Sequence, residues 1–268
     1  MSDLKVAIAG AGGKMGAANI RAIAATPGIT VISAFDRAGA PVIGKDAGEL
    51  AGIEALGVAV TDDIAAALSG ADAIIDFTAP ANSVALAREA AKRGLVHIIG
   101  TTGCSEADDA AIREAASGAR IVMAGNFSLG VNLLMGLVKQ AAAALPGFDI
   151  EILEMHHNKK VDAPSGTALM LGEAAALGRN VDLKTHSERG RDGHTGARQE
   201  GSIGFASLRG GNVIGEHRVI LAGPSERIEL NHIADNRALF AEGAVRAALW
   251  ARSQQPGFYS MADVLGFN

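Results

Sequence analysis

The stretch from Glu154 to Ala168 reads E-M-H-H-N-K-K-V-D-A-P-S-G-T-A. His156 and His157 are adjacent, Lys159 and Lys160 follow, and Asp162 precedes a Pro164-Ser165-Gly166-Thr167 turn that opens a helix. Histidine titrates near neutrality and lysine supplies a mobile positive charge. The free N–H groups of a helix N-terminus can cradle an anion. Proton donors beside an anion cradle point to a site that reduces or protonates an acidic small molecule. On an extended chain the two histidines face opposite sides, so one of them meets a given substrate atom. Adjacent histidines chelate one ion poorly and no zinc-like ligand spacing lies nearby, so no metal is expected. Ser165 lacks the G-x-S-x-G elbow of a nucleophilic serine; Ser165 and Thr167 read more simply as capping residues, a role compatible with carboxylate binding.

The source of electrons lies at the start of the chain. An apolar run, Val6-Ala7-Ile8-Ala9, leads into Gly10-Ala11-Gly12-Gly13-Lys14-Met15-Gly16 and then a helix-like stretch from Ala17 to Ala25. Glycines there let the backbone turn sharply, approach a pyrophosphate and pack the helix on the strand. The spacing is G-x-x-G-x-x-G through Gly10, Gly13 and Gly16, because Met15 stands where the usual third glycine would fall. A second apolar run, Ile29 to Phe35, ends in Asp36-Arg37, twenty residues beyond Gly16. Asp36 can bind the adenosine ribose hydroxyls and Arg37 can pair with a 2′-phosphate, so the pair predicts tolerance of both NADH and NADPH.

Other runs must position these groups. Strand-like segments at Lys5–Ala9, Ile29–Phe35, Ala73–Phe77, Val96–Ile99 and Ile121–Ala124 alternate with alanine-rich helical stretches such as Ser83–Arg93 and Ala107–Ala116. That pattern implies an α/β fold with a Rossmann-like, doubly wound parallel sheet covered on both faces. Its strand carboxyl ends, including Thr78, Gly100-Thr101-Thr102 and Gly125-Asn126, should converge on the cofactor. After Asn126 the pattern changes: a helix from Leu129 to about Leu145, a strand at Asp149–His156, the His/Lys segment and a helix over Ser165–Leu177. Lys184 to Glu200 reads as a mobile loop. Ser202–Leu208, Val213–Leu221 and Arg227–Ile233 follow as strands, with Arg209-Gly210-Gly211-Asn212 as a hairpin turn between the first two. This second α+β domain carries an open mixed or antiparallel sheet. Asn236–Arg252 is helical and returns to the first domain. The boundaries are 1–127 with 237–268 for dinucleotide binding and 128–236 for substrate binding and oligomerisation.

Composition narrows the class. The chain has 268 residues, 49% of them hydrophobic, enough to fill one large core or two modest ones. A net charge of −5 and 4% aromatic residues, without a basic block, argue against nucleic-acid binding. The single Cys104 excludes an internal disulfide and reads as an incidental small side chain rather than a nucleophile. The strand-like start leaves no room for a signal peptide, and Leu129 to Leu145 is too short and interrupted to cross a bilayer, so a cytoplasmic location is expected.

The sequence resembles the 4-hydroxy-tetrahydrodipicolinate reductase family, long called dihydrodipicolinate reductase, along essentially its whole length. The motifs that carry the resemblance are Val6 to Gly16, Asp76-Phe77-Thr78, Gly100-Thr101-Thr102-Gly103, Asn126-Phe127-Ser128, Gly193-His194-Thr195-Gly196, Ile203-Gly204-Phe205-Ala206 and, most specific, Glu154 to Ala168. The resemblance implies reduction of a cyclic imine dicarboxylate by NADH or NADPH with loss of its 4-hydroxyl as water, on the route through diaminopimelate to lysine. By position it gives His156 the role of proton donor or acceptor and Lys160 that of proton donor or charge stabiliser. His157, Gly166 and Thr167 match substrate-binding positions, to which the helix-start Ser165 is added. Gly10, Ala11, Gly12, Gly13, Lys14, Met15, Asp36, Arg37, Gly100, Thr101, Thr102, Ala124, Gly125, Asn126 and Phe127 match cofactor contacts. Ala79 stands where some relatives carry a basic residue. The resemblance further implies a homotetramer built through the second-domain sheet, with closure about hinges near Asn126–Ser128 and Ala234–Arg237. The rival readings are another NAD(P)-dependent enzyme on the same plan and a nucleotide sensor without turnover.

Overall fold

The structure, a computed structural model, describes residues 2–267. The chain divides into two compact units, Met1–Ser128 with Ala238–Asn268, and Leu129–Arg237. Unit one runs β1 (Leu4–Ala9), α1 (Lys14–Ala24), β2 (Ile29–Phe35), α2 (Ala47–Ala51), β3 (Val60–Thr61), α3 (Ile64–Ala67), β4 (Ala73–Asp76), α4 (Pro80–Arg93), β5 (Val96–Ile99), α5 (Glu106–Ala115) and β6 (Arg120–Met123). Unit two holds α6 (Leu129–Ala144), β7 (Asp149–His156), α7 (Gly166–Arg179), α8 (Leu183–His186), β8 (Ser187–Glu188), β9 (Ile203–Arg209), β10 (Glu216–Ala222) and β11 (Arg227–Ile233). The chain then rejoins unit one with α9 (Ala238–Ala251), β12 (Gly257–Tyr259) and α10 (Met261–Leu265).

Unit one is built on a seven-stranded sheet ordered β12-β6-β5-β4-β1-β2-β3, and its neighbouring strands pair in parallel. Every residue of β4 and β5 is buried, as continuous apolar strands sandwiched by helices should be. From β1 the chain proceeds to β2 on one side and reaches β4 on the other, so a crevice opens between the carboxyl ends of β1 and β4. Gly10 and Thr78 stand at those two ends. Local chemistry ends the helices: Ser105 and Asp108 form a capping box on α5, and Gly94 closes α4 in the left-handed conformation. In this unit two strands escaped the sequence reading. β3 and β12 have two and three residues, too few to display a period.

Unit two has a five-stranded mixed sheet ordered β11-β10-β7-β9-β8. Here the expected hairpin is wrong: β9 and β10 do not pair with each other. β7 lies between them, parallel to β9 and antiparallel to β10. The reason is α7, a helix lying between β7 and β9 in sequence, which makes the crossover a parallel neighbour requires. Arg209 to Asn212 instead rounds the end of β7, where the Gly210 N–H donates to the His156 carbonyl at 2.9 Å. Only β10 and β11 form the antiparallel hairpin expected of strands without an intervening helix.

One face of this sheet packs under α6 and α7 through Val138, Ile150, Ile152, Leu171, Phe205, Val219 and Leu221. Small residues bring the layers together: a Cβ at Gly178 would strike the Lys139 carbonyl of α6, and one at Gly172 would meet the Phe205 ring at 2.5 Å. On the alternate face Leu208 and Ile233 are 48% and 62% exposed.

The expectation of a mobile loop from Lys184 to Glu200 also needs correction. Its start is helical in α8, and β8 pairs with β9. Arg191 bridges Glu151 and Glu188, while Arg198 reaches Asp149, Glu151 and the carbonyls of Ile150 and Ser202. Exposed ion pairs are individually worth about 0–1 kcal/mol, but a network sharing Glu151 ties the segment to the sheet. Among the described residues no helix is long and apolar enough to cross a membrane.

Candidate active site

In unit one the glycines do three separate jobs. Gly10 has φ +69°, a left-handed conformation, and a Cβ there would lie 2.8 Å from Thr78 Cγ2. At Gly12 a Cβ would press on Val42 and on the Asp36 carboxylate, 3.0 and 3.1 Å away. At Gly16 it would collide with the Gly10 carbonyl, so α1 can sit against the turn only without a side chain. The helix start itself is open. Gly13 is the N-cap, no side chain caps it, and no acidic residue occupies the first turn of α1. Its N–H groups are therefore left to an anion such as a pyrophosphate.

Next to this turn lies a hollow of about 260 Å³ lined by Gly10, Phe35, Asp36, Arg37, Ile64, Thr78, Ala79 and Asn82. Asp36 accepts hydrogen bonds from the N–H groups of Gly12, at 2.9 Å, and Arg37, at 2.8 Å, which locks the end of β2 to the glycine turn. A dinucleotide fits this donor set: an uncapped helix start for phosphates, a carboxylate for ribose hydroxyls and a guanidinium beside it. Below the crevice, fully buried Asp76 accepts from the Thr78 hydroxyl and from Ser83, at 2.6 Å each. The Ser83 oxygen in turn accepts from the Thr101 hydroxyl at 2.8 Å. Thr101 and Phe127 are 4% and 1% exposed, whereas Thr102 and Gly125 are exposed. Burial and the carboxylates of Asp109, Asp108 and Asp76 push the Cys104 thiol up, which suits an inert side chain rather than a nucleophile.

In unit two the His/Lys segment begins on the last residue of β7. Alternation along that strand puts Glu154 and His156 on one face, and His217 of β10 faces the same side, paired in register with Glu154. The His156 Nδ1 lies 2.6 Å from Glu154 Oε2. Arg209, at the end of β9, grips the same carboxylate with both terminal nitrogens, at 2.9 and 2.8 Å. The Ser165 N–H donates to Glu154 Oε1 at 3.2 Å. Ser165 is the N-cap of α7, its hydroxyl accepting from Ala168 N–H, and His217 Nε2 lies 3.0 Å from the same hydroxyl. One buried cluster thus fixes both the imidazole and the helix start. Gly166 is exposed at the tip of α7 and Thr167 half-buried beside it.

His157 lies just past the strand, and its carbonyl accepts from the Lys160 N–H in a tight turn. That turn carries Lys160 back towards the cluster. The Lys160 ammonium pairs with both oxygens of Asp162 at 2.8 Å. Asp162 is 56% exposed and Lys160 19% at the side chain, so this ion pair sits at a rim where a second carboxylate can compete for the ammonium.

The charges are set by burial and partners. Desolvation raises the Glu154 carboxyl, but Arg209, Ser207 and His156 outweigh it and hold it at about 2. Burial pushes His217 down to about 4, helped by His156. Burial also lowers His156, against the opposing pull of Glu154. A histidine whose folded pKa lies below 6.5 binds fewer protons folded than unfolded, so its contribution to stability is complete above pH 6.5 and fades as pH falls towards its folded value. Glu154 follows the acid rule, its contribution present above 4.5 and lost as pH falls towards about 2. Acid loss of stability should therefore come in two stages, the first between about pH 6.5 and 4 from His217 with His156. In melting temperatures taken across that range, His217→Asn should flatten the first stage; an unchanged slope would refute the assignment to His217.

Of the residues singled out in the sequence, the structure brings His156, Lys160, Ser165 and Gly166 onto one unit, and Gly10 to Met15 with Asp36 and Arg37 onto the other. Glu154, Arg209 and His217 were not singled out. Glu154 was detectable in principle from its i,i+2 spacing to His156 on a strand; Arg209 and His217 were not, because they reach the cluster through strand pairing.

Comparison with known proteins agrees along the whole chain. Residues 4–127 match the family model described as dihydrodipicolinate reductase, N-terminus, and residues 130–265 the one described as dihydrodipicolinate reductase, C-terminus. The 4-hydroxy-tetrahydrodipicolinate reductase of Rhizobium meliloti strain 1021 is 60% identical over 269 residues, covering 100% of this chain and 99% of the relative. That of Rhodopseudomonas palustris strain BisA53 is 60% identical over 267 residues, covering 99% and 98%. The dipicolinate-bound dihydrodipicolinate reductase of Paenisporosarcina sp. TG-14 shares the fold, with a TM-score of 0.79 at 24% identity over 97% of this chain and 98% of that one. An amine dehydrogenase from Mycobacterium smegmatis shares it more distantly, with a TM-score of 0.59 at 16% identity over 97% and 95%.

Proposed function

The chain belongs to the dihydrodipicolinate reductase family, and we infer from that membership the reaction it runs: reduction of 4-hydroxy-tetrahydrodipicolinate to tetrahydrodipicolinate by NADH or NADPH, with loss of water. The reaction belongs to the biosynthesis of diaminopimelate and lysine. Full-length identity of 60% to curated reductases of that activity carries the conclusion.

On this reading unit one binds the cofactor through Gly10 to Met15, Asp36, Arg37, Gly100 to Thr102 and Ala124 to Phe127. Bound NADH or NADPH supplies the hydride. Unit two binds the acid. The dianionic ring needs positive fields, and Lys160 with the N–H groups of Gly166 and Thr167 provides them. The Lys160–Asp162 pair would open as a substrate carboxylate replaces Asp162. His157 and Ser165 complete the substrate side. Reduction of the conjugated imine leaves an electron-rich enamine that must take up a proton, which His156, or a water it orients, delivers. The active protein is a cytoplasmic homotetramer assembled through the exposed face of the mixed sheet, to which Leu208 and Ile233 would contribute.

Oxidation of reduced nucleotide with a panel of acids tests the reading. Turnover should require the cyclic hydroxy-imine; equal or better turnover with an open-chain amino or hydroxy acid would point to a different dehydrogenase. Arg37 sets the tolerance of NADPH. Arg37→Ala should raise KM for NADPH by about tenfold and leave KM for NADH nearly unchanged, as loss of about 1.4 kcal/mol of phosphate pairing implies. An unchanged KM ratio would remove Arg37 from phosphate recognition.

A further inference from the structure

His156 is held by groups from three strands. Glu154 of its own strand meets Nδ1, Arg209 of β9 clamps Glu154, and the His217 ring of β10 stands edge-on with its centroid 5.2 Å away. Arg209 and Lys160, the latter from the turn beyond β7, add positive charge near the ring. Glu154 is 1% exposed. A buried carboxylate gripped by both nitrogens of one guanidinium is ionised, and an ionised carboxylate only accepts hydrogen bonds. The 2.6 Å contact therefore has Nδ1–H as its donor. Nε2 is left as the nitrogen that carries the lone pair. Gly215 keeps space beside it, since a Cβ there would lie 3.0 Å from Nε2.

We propose that Glu154, clamped by Arg209, is a positioning residue that fixes His156 as its Nδ1–H tautomer and presents Nε2 as the atom that accepts and returns the substrate proton. The inference rests on the reductase reading of the site. Nε2 takes a proton from the ring carbon next to the imine as the neighbouring hydroxyl departs, and the hydroxyl leaves as water with a solvent proton. The imidazolium, stabilised by Glu154, gives its proton back to that carbon once hydride from the reduced nucleotide has produced the enamine. The sum is one hydride and one proton added and one water lost. The same carboxylate also accepts from the Ser165 N–H, so proton relay and anion cradle share one anchor.

Glu154→Gln in the full-length enzyme keeps the shape and removes the charge. Its kcat should fall at least about tenfold, as for other residues that orient a reacting imidazole, with little change in KM for the acid. The limb of the kcat–pH profile that belongs to His156 should move down by about one pH unit or more, because an opposite charge in contact has been lost. In a His156→Ala background the same substitution should cost almost nothing further. A merely structural role would lower the melting temperature without moving the limb and would add its loss to that of His156→Ala; either result overturns the proposal.

Should the variant fail to fold, nitrogen NMR of wild-type enzyme labelled at its seven histidines decides, with His156→Ala identifying the ring. Protonation at Nδ1 supports the proposal and protonation at Nε2 overturns it. Wild-type turnover separates the two levels: no reduction of the acid refutes the reductase reading, whereas normal wild-type turnover with an unaffected Glu154→Gln refutes this inference alone.

Discussion

Replacing Lys160 with alanine should lower kcat/KM for the cyclic acid by about a hundredfold to a thousandfold, the usual cost of removing one preorganised charge from a site that stabilises developing anion. Nucleotide affinity should hardly change, because the glycine turn, Asp36 and Arg37 belong to the other unit. The ammonium is poised rather than buried. In the acid-free protein it pairs with Asp162, a rim contact worth at most about 1 kcal/mol, so a dianionic ring displaces it easily. Lys160→Arg should recover the charge but not the rate, since a planar fork does not reproduce a compact ammonium on a flexible stem. Steady-state kinetics together with nucleotide titration monitored by fluorescence provide the check. Parallel losses of turnover and nucleotide affinity would mean that Lys160 holds the protein together rather than the substrate.

His156→Ala should act on a different parameter. Loss of a general acid–base group typically costs about 10²- to 10⁴-fold in rate, and here the loss should fall on kcat with KM moving little. Burial keeps the wild-type imidazole below its ordinary pKa, so it is mostly neutral at pH 7 and able to accept a proton before returning it. The limb of the wild-type kcat–pH profile that belongs to His156 should therefore be absent in the variant. A variant with wild-type kcat would remove His156 from the mechanism, and one with raised KM alone would make it a binding residue.

Much of this molecule could be read before folding. The strands β1, β2, β4 and β5 announce themselves because burial on both faces demands uninterrupted apolar runs, and β7 is found at its observed limits, Asp149–His156. The glycine turn was legible for a similar reason. A residue that must adopt φ +69° or lie against the Gly10 carbonyl has few alternatives to glycine, so geometry leaves a mark in composition. The His/Lys segment was legible because its residues lie together in sequence.

What failed was pairing. The order β10-β7-β9 depends on which strand a helix crossover sets down where, and a Gly-Gly turn rounding the end of β7 looks the same in sequence as one closing a hairpin. The helix between β7 and β9 did carry the signal of a parallel neighbour, but the turn residues suggested the opposite. The misplaced hairpin also hid chemistry. Arg209 reaches Glu154 because β9 lies directly beside β7, where residue 209 pairs in register with His156. The segment from Lys184 to Glu200 misled for a third reason, since its polar residues read as solvated when Arg191 and Arg198 in fact spend their charge on Glu151, Glu188 and Asp149.

The most direct measurement follows the hydride itself. Enzyme, freshly generated 4-hydroxy-tetrahydrodipicolinate and a nucleotide carrying deuterium at the transferable nicotinamide position are mixed, and the acid product is weighed by mass spectrometry. One deuterium on tetrahydrodipicolinate, matched to one nucleotide oxidised, is the expected result. Nucleotide oxidation without label in the acid, or no oxidation at all with this acid, would contradict it.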